Sequence, residues 1–190
     1  MALRSMRWIG AICGIAAPAV AFIAIATSIL LSPWFSWHSN ALSDLGNYAR
    51  STAAIVFNTG LFISGVLTSV FGMGVINEFK DSKVGKVGAI FLFVAGIALA
   101  CIGILSEDAG VVHFYVSVAF FSAFPISLLI LGPAIFMRRK PWLGAFTLLI
   151  AFLTAFPWSF QWDGVAIPEA ISATFASLWA ITISLKMLKG

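Results

Sequence analysis

Residues 111–140 read VVHFYVSVAFFSAFPISLLILGPAIFM-RRK, an apolar run from Val111 to Met137 closed by Arg138-Arg139-Lys140. The run contains no Asp, Glu, Lys or Arg. A bilayer core about 30 Å thick takes roughly 20 helical residues to cross, so this stretch is long enough to span it. Strands of a membrane barrel alternate apolar and polar residues with period two. Here the apolar character is continuous, and a helix is the structure that bonds every amide within its own segment. Five other stretches read the same way: Trp8–Leu31, Thr52–Ile76, Val84–Leu105, Pro141–Phe160 and Ile167–Leu185. The fold class expected is an all-α membrane protein. Its six transmembrane helices form an antiparallel bundle, a single domain over residues 1–190 with no extramembrane domain.

Composition supports this reading. Of 190 residues, 61% are hydrophobic and only 9% charged, with a mean hydropathy of +1.05. A soluble domain carries about 25% charged residues, so a water-soluble core, a disordered chain and a nucleic-acid-binding domain are all excluded. The first apolar run, preceded by Arg4 and Arg7, is too long for the hydrophobic region of a cleaved signal peptide and reads as a retained helix. The basic residues set the orientation. Arg4, Arg7, Lys80, Lys83, Lys86, Arg138, Arg139, Lys140, Lys186 and Lys189 fall on one side, which is ten of the eleven; Arg50 alone falls on the other. The chain is therefore expected in the cell membrane as a multi-pass protein, with N- and C-termini cytoplasmic. Cys13 and Cys101 lie at different depths, at about 1.5 Å rise per residue, and are expected as free thiols. The aromatic stretches Pro33–Trp37 and Pro157–Trp162 read as interfacial belts.

Polar residues gather on the other, outward side. Five of the seven acids lie there (Asp44, Glu107, Asp108, Asp163 and Glu169), with His38 and His113. Asn58, His113, Ser117, Thr154, Ser172 and Thr174 reach below the surface, and buried polar groups in lipid face the bundle interior or a wet cavity. They predict an outward-opening pocket between helices 2, 4 and 6. Asp44, Asn58 and His113 are expected to share it, because Asn58 and His113 sit at similar depth and Asp44 precedes helix 2. The ligand-binding set expected is His113, Asp44, Asn58, Ser43, Asp108, Glu169, Ser117 and His38. Each also has a plain structural role. Asp108 and Ser51 can cap helices 4 and 2, Glu169 can complement a helix dipole, and Ser43 and Asp44 can cap the segment after Asn40. Asn58 can bond a neighbouring helix, His38 can sit at the interface, and Glu107 and Asp163 can be solvated loop acids. His113 is the ionisable residue inside a span and so a functional candidate.

Specific chemistry is harder to read. His38, His113 and one carboxylate could supply a zinc site, but no His-x-x-x-His pair occurs, and neither a metal nor another cofactor is expected. A bis-histidine haem and a Ser43–His113–Asp108 nucleophile are conceivable, and no spacing selects either. Mid-membrane acids of a proton-coupled carrier are absent from the sequence.

Leu42-Ser43-Asp44-Leu45-Gly46, then Phe57-Asn58-Thr59-Gly60-Leu61 and Ser64-Gly65, resembles the prokaryotic six-helix membrane family catalogued as domain of unknown function 998. His113, opening an aromatic-rich fourth helix, and Pro168-Glu169 before the last helix continue the resemblance over nearly the whole chain. It implies an integral membrane protein with a shared outer polar cluster, and no particular reaction. Ceramidase-like membrane hydrolases, with seven helices and three zinc-binding histidines, differ from this chain. The expected function is an outward-facing polar pocket that binds a lipid head group or small amphiphile. A membrane-embedded, metal-assisted, lipid-active enzyme and a non-catalytic helix-packing partner are the alternatives. The partners expected are membrane lipids and no nucleic acid, and a homo-oligomer is compatible with the pattern.

Overall fold

The computed structural model describes residues 2–189, with side chains from Ser5 onward, so the side chain of Arg4 lies outside the described part. The helices are α1 (Ala2–Leu30), α2 (Ala54–Glu78), α3 (Lys83–Ile104), α4 (Val111–Met137), α5 (Pro141–Ala155) and α6 (Ala166–Lys189). Short 3₁₀ turns occupy Leu42–Gly46, Glu107–Ala109 and Phe156–Ser159. All six helices, α5 together with its 3₁₀ extension, are long and apolar enough to cross a membrane.

Local chemistry explains most of the ends. Ser82 caps α3 by accepting the amide of Gly85 at 3.1 Å. Pro141 opens α5 at a position where the missing N–H costs nothing. The fifth helix ends earlier than expected, at Ala155, and continues as a 3₁₀ turn. Phe156 keeps α dihedrals, φ −56° and ψ −40°, but Pro157 after it has no amide to extend the ladder. Two capping expectations are corrected. Ser51 accepts the amide of Ala53 at 3.1 Å, so it closes a turn ahead of α2, whose first helical residue is Ala54. Asp108 does not cap α4, because it reaches back to the segment before α2.

Each helix packs on its chain neighbours, and α6 returns to α1, so the six close a ring. Lipid is as apolar as a leucine side chain, so close van der Waals approach and hydrogen bonds hold such helices together. The small residues of α2 serve two neighbours. Ser64 donates to the Ala17 carbonyl of α1 at 3.0 Å, and Gly74 lies against Gly10 of α1. On the opposite face a methyl at Gly65 would fall on the Ala100 backbone of α3, and one at Gly72 would sit 2.8 Å from Phe93 Cα. The ring's interior centres on Trp179, fully buried, with Phe71 and Phe124 edge-on at 5.9 and 6.0 Å. Its indole N–H donates to Thr147 Oγ1 at 3.0 Å, so the largest buried side chain carries no orphan donor. Both cysteines are free thiols.

The two ends of the ring differ in charge. At one end Glu78 binds two cations from other helices: Arg7 Nε lies 3.2 Å from Oε2, and Arg138 donates to the Glu78 carbonyl at 2.7 Å. Arg138 also stands 4.1 Å over the Phe79 ring. At the opposite end the carboxylates and His113 converge.

Candidate functional site

Residues 40–48 form a cap on this acidic end, and polar bonds fasten it to several elements. Asn40 ties the two neighbouring loops together: its Oδ1 accepts the Ser36 amide at 2.9 Å, and its carbonyl accepts the Ala166 amide at 2.9 Å. Asp44 Oδ2 accepts from Asn40 Nδ2 at 2.8 Å and from the Ala41 amide at 3.1 Å, fixing the 3₁₀ turn. Arg50 approaches the other oxygen at 3.6 Å and lies 5.6 Å over the Trp34 ring. Asn58 of α2 donates to the Gly46 carbonyl at 2.8 Å from a fully buried position. Glu169 of α6 accepts the Leu42 amide at 2.6 Å. Asp108 accepts the Tyr48 amide at 2.9 Å and the Ser106 hydroxyl at 3.1 Å. The Tyr48 amide holds the exposed Asp108 carboxyl below its ordinary value; partial desolvation works against this and Ser106 reinforces it.

His113 sits in the first turn of α4 and is 4% exposed. Nδ1 stands 2.6 Å from the Leu105 carbonyl, which can only accept, so that nitrogen carries a proton. Nε2 stands 3.2 Å from Glu107 Oε2, inside ion-pair range but off the line of a hydrogen bond. Between them Gly110 adopts φ +58°, a left-handed turn that glycine takes without a Cβ penalty. The short loop thereby folds Glu107 back onto the ring.

Two cavities meet beside this cluster. The larger, a half-open groove of about 600 Å³ whose α4 wall includes the exposed Val118, Ile126 and Leu129, lies between α4, the end of α5 and the start of α6. Ser43, Glu107, His113, Ser117 and Glu169 line its polar part, and Val118, Phe121, Ile126 and Leu129 line its apolar wall on α4. Trp158 lies across from them, 4.8 Å from Phe121 between ring centres, with its N–H on Ser172 at 3.0 Å. The smaller, about 110 Å³, lies inside the ring. Ser43, Ser117, Phe121 and Glu169 border both.

Of the eight residues singled out from sequence, Ser43, His113, Ser117 and Glu169 line the larger cavity. Asp44 and Asn58 hold the cap and line neither cavity. Asp108 is exposed and fastens the α3–α4 loop to the cap, and His38 is exposed in the loop after α1. Glu107, expected as a solvated acid, belongs with the cavity residues. Its position six residues before a buried histidine, across a glycine, is the signal that could have placed it there. Trp158 was expected only as part of an interfacial belt.

The arrangement has chemical consequences. Many helix hydroxyls donate to a carbonyl, as Ser127 does to Gly88 at 2.8 Å, Thr147 to Leu143 at 2.8 Å and Ser177 to Ala173 at 2.7 Å, while Ser28 and Ser184 are buried without a partner among the described residues. Ser43 and Ser117 make no hydrogen bond to any described residue. Glu169 accepts at Oε2 alone, leaving Oε1 without a protein donor among the described residues. No group of three or more His, Cys, Asp or Glu that could hold a metal ion occurs among the described residues.

Residues 15–186 match the profile of a family described as "Protein of unknown function (DUF998)". No curated protein and no solved structure matches the chain.

Proposed function

The chain belongs to the DUF998 family of proteins of unknown function, and from its geometry we propose that it binds the polar head of a lipid or small amphiphile in the cavity beside His113. One observation carries the reading. A cavity of about 600 Å³ joins an apolar wall on α4 to a polar end where Ser43 and Ser117 have no partner among the described residues. Ligand sites of this kind are mostly apolar, with a few polar groups that fix orientation. Ser43, in the cap, and Ser117, on α4, are half-buried at the border of the cavity, where a ligand's polar head could bond both. An amphiphile supplies a head for the hydroxyls and a tail for Val118, Ile126 and Leu129.

The proposal includes an orientation. Arg7, Arg138 and Lys186 surround a cavity at one end, which supports placing that end and both termini in the cytoplasm, with the helices alternating in direction and the cavity opening outward. A second reading, a lipid-active membrane enzyme, is favoured by one feature: His113, its buried Nε2 held beside Glu107, lines the same cavity as two hydroxyls that have no partner among the described residues.

The test is native mass spectrometry of protein purified in a mild maltoside detergent. One bound amphiphile per chain is expected, lost in Ser117→Phe while the thermal transition of the variant stays close to the parent's. A protein that carries no amphiphile and takes up none when lipid is added sinks the binding reading. Loss of a lipid's acyl chain over time, abolished by His113→Ala, would favour the enzyme instead.

A further inference from the structure

We infer that the ligand's head is a protonated amine, an inference that rests on the cavity reading above and adds the chemistry of its occupant. The reasoning starts from the pairing of acids. Asp44 has Arg50 at 3.6 Å, Glu107 has His113 at 3.2 Å, and Glu78 has Arg7 at 3.2 Å and Arg138 at 3.5 Å. Glu169 has no cation among the described residues, although it is 8% exposed and borders both cavities. A buried carboxyl without a countercharge is expensive to ionise, and one left neutral still needs a partner for each oxygen. The Leu42 amide serves Oε2 only.

The open positions match one head group. Glu169 Oε1 accepts, and the Ser43 and Ser117 hydroxyls can accept, all bordering the same space. A primary ammonium has three donors and no acceptor. Its donors match acceptors of this kind, and it supplies the charge that an ionised Glu169 lacks. An anionic head would meet the Glu107 carboxylate and would sit beside Glu169 only with that carboxyl protonated, whereas an ammonium favours its ionised form. Like charges brought together in a medium of low dielectric repel strongly. A neutral hydroxyl head could bond the serines but leaves Glu169 without a countercharge. The ammonium can arrive on a single-chain amine or on a phospholipid head that also carries a phosphate, and the shared chemistry is the N–H donor cation.

The experiment measures equilibrium binding to the full chain in nanodiscs of neutral lipid, with empty discs subtracted for partitioning. The probes are dodecylamine, dodecanol and dodecanoate, which share a tail, and a lyso-phosphatidylethanolamine to separate the two sources. Dodecylamine is expected to bind about tenfold or more tightly than dodecanol, at the low end for a desolvated charge pair, and dodecanoate more weakly still. Glu169→Gln, which keeps an acceptor for Leu42, should erase the preference while dodecanol binding persists. If Glu169→Gln fails to fold, Ser117→Ala should reduce amine binding more than dodecanol binding. A lysolipid that matches dodecylamine assigns the head to a phospholipid and leaves the inference standing. Equal binding of amine and alcohol, or preference for the carboxylate, overturns the amine and keeps the cavity. No binding of any probe overturns both.

Discussion

Replacing Gly65 by alanine tests how α2 and α3 are held together. A Cβ at Gly65 would fall against the backbone nitrogen of Ala100, 2.5 Å from its Cα and 2.8 Å from its Cβ. Carbon atoms rest about 3.5–4.0 Å apart, so the helices must separate locally by about 1 Å or more. The same face carries a second close approach, Gly72 on Phe93, and a reciprocal one from α3, Gly96 on Ser69. Separation at Gly65 therefore loosens contacts on both sides of it. Overpacking a well-packed interface costs about 1–3 kcal/mol, and Gly65→Ala should lie in that range despite the better helix propensity of alanine. The assay is reversible unfolding in mixed micelles by titration with sodium dodecyl sulfate, followed by tryptophan fluorescence. The decisive variant is the double one. Because the nearest atoms are backbone, Ala100→Gly removes only the methyl at 2.8 Å and should restore less than half of the loss. Full rescue by Ala100→Gly would show that side chains, not backbone, set the distance. A neutral Gly65→Ala would refute the close approach itself.

Other outcomes check the acidic end and the orientation. Asn58→Ala leaves the Gly46 carbonyl without its buried donor, and it should cost about 1–3 kcal/mol in the same unfolding assay. A larger rise in proteolysis of the 40–48 cap than of the helices should accompany it, and an unchanged cap would contradict the fastening role. Asp108 has its carboxyl below the ordinary value of 3.8, so the unfolded chain binds its proton first as the solution is acidified. Its contribution is fully present above that value and is lost as pH falls through the lower folded value. Asp108→Asn should therefore flatten the acid limb of the stability profile, and an identical limb in both proteins would count against the Tyr48 contact. In a background with Cys13 and Cys101 replaced by alanine, a membrane-impermeant thiol reagent should label Asp163→Cys in intact cells and leave Asp81→Cys unlabelled. The reverse pattern would overturn the orientation.

The six spans were legible in the chain because lipid imposes a local rule: every crossing segment must be long, apolar and internally bonded. The run Val111–Met137 was bounded correctly to the residue, since Gly110 and Arg138 change both polarity and conformation at its ends. The family was legible as well, from Leu42–Gly46, Asn58 and Pro168-Glu169. What a polar side chain bonds was not legible. Asp108 stands two residues before Gly110, where a cap for α4 would be expected, yet it accepts from Tyr48, sixty residues earlier in the chain. Glu169 looks like a dipole complement at the start of α6, yet it takes the amide of Leu42, 127 positions away. Glu107 reads as a loop acid until the left-handed turn at Gly110 folds it onto His113. Asp44 and Asn58, paired with His113 by depth, fasten the cap, while Ser43, Ser117 and Glu169 border the cavity with the histidine. Depth in a membrane is written one helix at a time, by distance from the end of each span. The direction a side chain faces around the ring depends on which helices close against one another, and only the packed tertiary structure decides that.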